Sequence, residues 1–197
     1  MERWEIGNDI LEFEESTHTY WCNGQECISV TQLLQYKFPN KYANINKEVL
    51  DRAAERGTFV HECIEMYERY GIDSSEIQEF RDYLFLKEKF NFKVTGNELP
   101  IIIKYKDLIV CGRLDLILQE GDKQGLGDIK STSTFDKTYL AYQLNLYKIG
   151  VEQSYGFVPE FLRGIHLKKG VRKYSPIPIN EAAVYELLDD YITYQTI

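Results

Sequence analysis

Apolar and polar positions change their period several times along this chain, and each change marks an element. Residues 10–28 alternate like an extended hairpin, with Asn23-Gly24 as the turn. Ser29-Val30-Thr31-Gln32 then fits a capping box before Leu33 and Leu34, and Pro39-Asn40 closes that short helix. From about Asn46 to Tyr70 the period is helical. Val49, Ala53, Val60, Ile64 and Tyr67 trace one apolar stripe, and Gly71 stops it. Asp73 or Ser74 is placed to cap a further helix to about Phe90, carrying Ile77, Phe80, Leu84 and Leu86. A β pattern runs from Val94 to Tyr105 and again from Ile109 to Thr132. Lys137 to Gly150 predicts a helix with Leu140, Leu144 and Tyr147 on one side. Phe157–Leu167 and Val171–Ile179 pair around Lys169-Gly170, and Asn180 caps a last helix through Leu187 and Leu188. No repeat, low-complexity run or linker interrupts the 197 residues. The pattern therefore predicts a single domain over residues 1–197, of mixed α/β class, with a central mixed sheet flanked by helices.

The hairpin is the best specified element. Its arms are Ile109–Gln119 and Gln124–Thr132, joined through Gly121-Asp122, where glycine at the first loop position suits a type II′ turn. Counting outward from that turn, Glu120 faces Lys123, Gln119 faces Gln124, and Asp115 faces Asp128. Opposed side chains lie about 4.5–5.5 Å apart at Cβ. Lys130, two residues beyond Asp128, points to the same face. Like charges opposed in this way destabilise a sheet, and a hard divalent cation compensates them. An Asp-x-Lys tripeptide on its own is common at solvated strand positions, so its company matters.

Gly57, His61 and Glu65 are spaced by four and share one face of the long helix. In isolation, His and Glu one turn apart are a surface hydrogen-bonding pair. The functional alternative is that Gly57 permits close approach to another element while His61 reaches a metal. Gln143 and Tyr147 share a face of the helix after the hairpin, and alone they suit a half-buried amphipathic helix.

In chain order these pieces are Gly-x-x-x-His-x-x-x-Glu, then Gly112-Arg113-Leu114-Asp115, then Asp128-Ile129-Lys130, then Gln143-x-x-x-Tyr147. That order resembles the RecB-like, phage-type exonuclease branch of the PD-(D/E)XK nuclease superfamily, over nearly half the chain. His18-Thr19-Tyr20 followed by Ile28-Ser29-Val30-Thr31 resembles the opening of phage-type exonucleases in that group. The resemblance implies a restriction-endonuclease-like core. It implies Mg²⁺ or Mn²⁺ bound by His61, Asp115, Asp128 and the Ile129 backbone carbonyl, with Asp115, Asp128 and Lys130 catalytic. Lys130 would position or activate the attacking water, and Gln143 and Tyr147 would brace the lysine or touch DNA. Glu98 opens the preceding strand, as a glutamate does in relatives, and either helps bind a second ion or is an exposed strand-end acid. Glu65 would support the ligands from behind, and Ser131 and Thr132 could donate to a phosphate. Where many relatives carry glutamate, this chain has Asp128. His18 and His166 are expected to be structural. Some relatives hold an iron–sulfur cluster through cysteines near the C-terminus. No cysteine follows Cys111 here, so no cluster is expected.

Composition adds bounds. Apolar residues at 44% and charged residues at 27% are ordinary for a globular protein, and the apolar runs are too short to span a bilayer. The first residues lack the basic and apolar regions of a signal peptide, which predicts an intracellular, cytoplasmic protein, bacterial or phage-encoded by resemblance. Cys22, Cys27, Cys63 and Cys111 form no CxxC pair and are expected as free, mostly buried thiols. The net charge of −8 is unusual for a protein acting on DNA. It is concentrated at the ends: residues 1–15 hold one Arg against six acids, and residues 176–197 hold four acids and no base. Phe161–Ser175 carries Arg163, Lys168, Lys169, Arg172 and Lys173 without an acid, a strip compatible with DNA or with plain solvation. The resemblance implies DNA cleavage, exonucleolytic and of phage or mobile-element recombination or repair type; no phosphate-binding Gly-x-x-x-x-Gly-Lys-Ser/Thr loop is present, so cleavage is expected to be ATP-independent. A recombination partner and an oligomer are compatible with this. Structure- or site-specific endonuclease action on the same fold, and a non-catalytic nucleic-acid-binding module, are the alternatives.

Overall fold

The computed structural model describes residues 1–168 and 170–196. An N-terminal meander contains β1 (Glu2–Ile6), β2 (Asp9–Glu14), β3 (Thr19–Cys22) and β4 (Gln25–Ser29). Three helices follow: α1 (Val30–Lys37), α2 (Lys47–Tyr70) and α3 (Gln78–Phe90). Then come β5 (Lys93–Tyr105), β6 (Leu108–Glu120) and β7 (Lys123–Lys130). The chain closes with α4 (Lys137–Tyr155), β8 (Phe161–Lys168), β9 (Val171–Ile177) and α5 (Glu181–Gln195). The described strands form one sheet in the order β1-β2-β3-β4-β6-β7-β8-β9, with β5 on β6. β4–β6 and β7–β8 are parallel and the other pairs antiparallel, so the sheet is mixed. No described helix is long and apolar enough to cross a membrane.

Helices cover both faces. Ile101, Leu126 and Leu162 pack under α1, α4 and α5, while Leu116, Leu118, Ile129, Ile165 and Leu167 pack under α2 and α3. The meander closes a third cluster over Ile102 and Cys111. All four cysteines are buried and free.

β6 determines where a site can form. β5 pairs along the whole of one edge, from Tyr105–Leu108 to Lys93–Gln119. The other edge is divided: β4 takes Val110 and Cys111, and β7 takes Leu116 to Glu120. The sheet therefore parts beside Gly112–Asp115. The expected hairpin register is present, with Glu120 opposite Lys123 and Gln119 opposite Gln124, and Gly121 at φ 60° turns the chain.

Several expected boundaries shift. Residues 10–28 are not one hairpin but β2, β3 and β4, and β1 precedes them across a turn with Gly7 at φ 60°. Ser29 caps α1 with Gln32 as its capping-box partner, as the pattern required. Neither Asp73 nor Ser74 caps α3; its cap position is Ile77, with no side-chain bond. α4 continues five residues past Gly150 and is buried nearly all round at 143–151, because the sheet, α1 and α5 enclose it. In α2 only Val60, Cys63 and Ile64 are buried; Val49 is 56% exposed, because no element packs on the first half of that stripe. Lys169 lies outside the described residues.

Candidate metal centre

Four elements meet where the sheet parts. Asp115 on β6 and Asp128 on β7 fall opposite each other by the ladder that ends at Leu116–Gly127. Asp128 is fully buried and Asp115 nearly so. Asp115 Oδ2 accepts from the Ile129 backbone N–H at 2.7 Å, which ties the two strands at the site. Lys130 Nζ lies 2.6 Å from Asp128 Oδ2, yet neither Asp128 oxygen has a well-angled hydrogen bond. Unused lone pairs on a buried carboxylate leave room for a further donor or a cation.

His61 arrives from α2, in the helix layer on the opposite face. Its Nε2 donates to the Ile129 carbonyl at 3.0 Å, while Nδ1 lies 3.6 Å from Asp115 Oδ2 and 3.9 Å from Glu98 Oε1. Glu98 lies on β5 between the pairs Asn97–Leu116 and Leu99–Leu114, level with Asp115. Its φ of 49° is in the left-handed region, a strained backbone for glutamate. Arg113 Nε holds the other Glu98 oxygen at 2.9 Å, and its Nη1 pairs with Glu2 at 3.2 Å. One ligand atom each from His61, Glu98 and Asp115 can be chosen so that all lie within 4.8 Å of one another, a set able to hold a metal ion. Glu98 thus belongs to the cluster and is no exposed strand end.

The electrostatics record crowded negative charge. Burial pushes the Asp128 carboxyl up to about 6; Lys130 opposes that rise and Asp115 adds to it. Burial likewise raises Asp115, against the pull of His61. For His61, burial disfavours the proton, but Asp115 and Glu98 outweigh it and lift the imidazole to about 9. Burial also opposes the Lys130 charge, yet Asp128 and Asp115 hold that ammonium above its ordinary range. These shifts follow from partial desolvation and from charges facing one another at short range.

The cluster opens into a cleft of about 890 Å³. Asp115, Lys130, Ser131, Thr132, Glu65, Glu98, His61 and Tyr147 line it. Tyr147 packs on Gly112, where an added Cβ would sit 3.1 Å from its Cε1. Gly57 faces the residue after Lys130, and a Cβ there would lie 3.4 Å from Ser131 Oγ, so α2 approaches closely without needing glycine. Glu65 pairs with Arg69 at 3.1 Å. Gln143 is buried next to Tyr147's turn of α4 and does not line the cleft. Thr132 Oγ1 donates to the Thr134 carbonyl, at 2.8 Å.

The basic strip is elsewhere. Arg172 pairs with Asp82 at 3.0 Å and lies 3.6 Å over the Phe85 ring, so α3 holds it. Lys173 faces a smaller hollow with Lys89 and Phe90, and Lys168 does not line the cleft. The strip folded away because edge strand β9 packs against α3. Sequence reasoning missed Arg113, Tyr42 and Glu2 as cleft residues. Arg113 alone carried a signal, its place inside the Gly-Arg-Leu-Asp run. His166 is structural in placement: Nε2 donates to the Thr132 carbonyl at 2.8 Å and the ring stacks on Phe135.

No protein-family profile matches the chain. No curated protein matches its sequence. Among solved structures, 28 chains match. The protein designated SSO0001 is 18% identical, with 86% of this chain and 76% of that chain covered and a TM-score of 0.49. A candidate exonuclease from Eubacterium rectale is 12% identical, with 83% and 76% covered and a TM-score of 0.49. These figures describe backbone likeness and assign no chemistry to this chain.

Proposed function

We propose that the protein is a Mg²⁺- or Mn²⁺-dependent deoxyribonuclease that hydrolyses phosphodiester bonds from DNA ends without ATP. The observation that carries this is the Asp115–Asp128–Lys130 group with Glu98 and His61 at the parting of β6. Asp115 and the Lys130 ammonium line an open cleft, and Asp128 lies buried beneath them beside the lysine, without a well-angled hydrogen bond. The donor set of carboxylate oxygens and one imidazole suits a hard divalent cation, and His61, Asp115 and Glu98 would hold it; Asp128 as a further ligand rests on the resemblance alone. Such an ion supplies positive charge at the phosphate oxygens and makes water a stronger nucleophile at neutral pH.

The chain's own groups have separable tasks. Lys130, its side chain about a quarter exposed, brings a charged donor to water and scissile phosphate from β7, while Glu98 comes from β5 on the other edge of β6. Asp128 keeps that lysine charged and aimed. The Ile129 N–H bond fixes the Asp115 carboxylate, and Arg113 fixes Glu98, so neither acid must reorient when charge develops. Tyr147 closes the inner wall against water. The preference for ends rests on the resemblance to phage-type exonucleases, and an assay decides it separately.

End-labelled linear DNA and covalently closed circles, each with Mg²⁺, Mn²⁺ or EDTA, test the assignment. Linear DNA should shorten with either metal, circles should survive, and EDTA should stop the reaction. Asp128→Asn and Lys130→Gln should be inactive with unchanged circular dichroism. Undiminished cleavage by Asp128→Asn at saturating Mg²⁺ overturns the nuclease reading. Nicked circles replace exonuclease by endonuclease.

A further inference from the structure

One wall of the cleft has no place in the phosphodiester chemistry. The segment between α1 and α2, residues 38–46, winds through consecutive turns closed by Lys41 N–H to Phe38 O, Ala43 N–H to Asn40 O, and Ile45 N–H to Tyr42 O. It is pinned from one side. Lys41 Nζ pairs with Asp136 Oδ2 at 2.7 Å and lies 3.7 Å over the Tyr139 ring, while Phe38 packs on Tyr139 and Tyr142. Asp136 in turn caps α4 by accepting from the Tyr139 N–H at 3.0 Å. These anchors leave Tyr42 facing the cleft with 43% of its surface exposed. The other aromatic six-membered rings in the lining, Phe13, Tyr20 and Tyr147, are each 7% exposed or less. Among the described residues the exposed lining rings a ligand can reach are therefore Tyr42 and the imidazole of His18, which meets Phe13 edge-on; of these Tyr42 is the broader face.

The N-terminal half of α2 lines the same cleft with Leu50, Ala53 and Ala54, and with the carboxylate of Asp51 beside them. Both alanines are exposed. The cleft thus combines a charged floor with a flat ring and a small-residue helix face at its mouth. A ligand made of an anionic linkage joined to a flat, largely apolar ring system matches both parts. A base inside a duplex has both faces covered and a terminal pair offers only one, whereas an unpaired base offers both, one to the tyrosine and one to the helix.

We propose that Tyr42 and the Leu50–Ala54 face of α2 hold one unpaired nucleobase beside the scissile phosphate, which makes the cleft selective for single-stranded DNA. This rests on the nuclease reading and assigns the substrate class of that same site. Tyr42 acts by stacking, so an aromatic replacement should serve and an aliphatic one should not.

The test measures KM and kcat with Mg²⁺ on single-stranded 20-mers, intact or abasic over the terminal nucleotides. The proteins are wild type, Tyr42→Ala, Tyr42→Trp, and Tyr194→Ala as a distant surface control. Tyr42→Ala should raise KM roughly 5- to 160-fold, the factor that base–aromatic stacking corresponds to. Its kcat should change far less, and Tyr42→Trp should recover most of the loss. The abasic substrate should bind weakly to the wild type and no more weakly to Tyr42→Ala. An unchanged KM for Tyr42→Ala, or an equal loss on intact and abasic DNA, overturns the base-holding role while the nuclease reading stands. Absence of cleavage of every substrate by the wild type overturns the nuclease reading itself.

Discussion

Glu98 shows at the level of one residue how the geometry of the cluster and backbone stability oppose each other. Its backbone is left-handed, yet its carboxylate reaches both Arg113 and the His61–Asp115 group. Glycine adopts that backbone freely, whereas alanine keeps the strain and has no carboxylate. Glu98→Gly should therefore be more stable than Glu98→Ala by about 1 kcal/mol in urea unfolding, with DNA cleavage impaired in both. Equal stabilities would show that the φ of Glu98 carries no strain. His61 gives a second prediction. Its folded pKa, about 9, stands above the ordinary 6.5, so it stabilises the metal-free protein fully below about 6.5. That contribution is lost as pH rises through 9. In EDTA the melting temperature should fall between pH 6.5 and 9.5, by about 5 °C. His61→Gln should flatten the fall. Mn²⁺ should reverse it, because a metal takes the neutral imidazole and displaces its proton. A melting temperature independent of pH over that range would contradict the charge crowding around His61.

At the scale of elements, legibility tracked locality. The β6–β7 register was readable because a two-residue turn and period-2 alternation fix it within about 20 residues. That one inference placed Asp115 opposite Asp128. The parallel pairs β4–β6 and β7–β8 left no local trace, so the parting of the sheet beside Gly112–Asp115 could not be foreseen. The stripe on α2 misled because Val49 and Ala53 have the right period but no partner to bury them. Glycines separate two kinds of helix contact. A methyl on Gly164 would lie 2.5 Å from Leu140 Cδ2 and 2.6 Å from Phe135 Cζ, so α4 seats on β8 only without a Cβ there. Gly164→Ala should cost about 1–3 kcal/mol as those side chains shift. Gly57→Ala sits mid-helix where a methyl reaches only 3.4 Å from Ser131 Oγ, and it should gain up to ~1 kcal/mol from helix propensity. Thermal unfolding of the two variants should move in opposite directions; a shared direction would refute this account of the packing.

Over the whole molecule, charge governs how a polyanion can be held. The acid-rich N-terminal residues do not stand apart from the site: Glu2 and Glu15 lie at the cleft, and Glu2 is paired with Arg113. Seven carboxylates line the cleft against two residues of the Arg and Lys type, while Arg172 of the basic strip is turned to Asp82 on α3. A cleft of that balance repels phosphate until a divalent ion enters, so metal and DNA should bind together. Single-stranded DNA should bind weakly in EDTA, with Kd near the nonspecific range of about 10⁻⁴ M, and much more tightly when Ca²⁺ is supplied. Few phosphates would be neutralised by side chains, so log K should fall with log salt at a slope shallower than about −2, where each neutralised phosphate contributes about −0.7. Arg172→Ala with Lys173→Ala should leave that slope unchanged. Tight binding in EDTA, or a steep slope that these two substitutions reduce, would place the DNA along β8–β9 instead of in the cleft at β6.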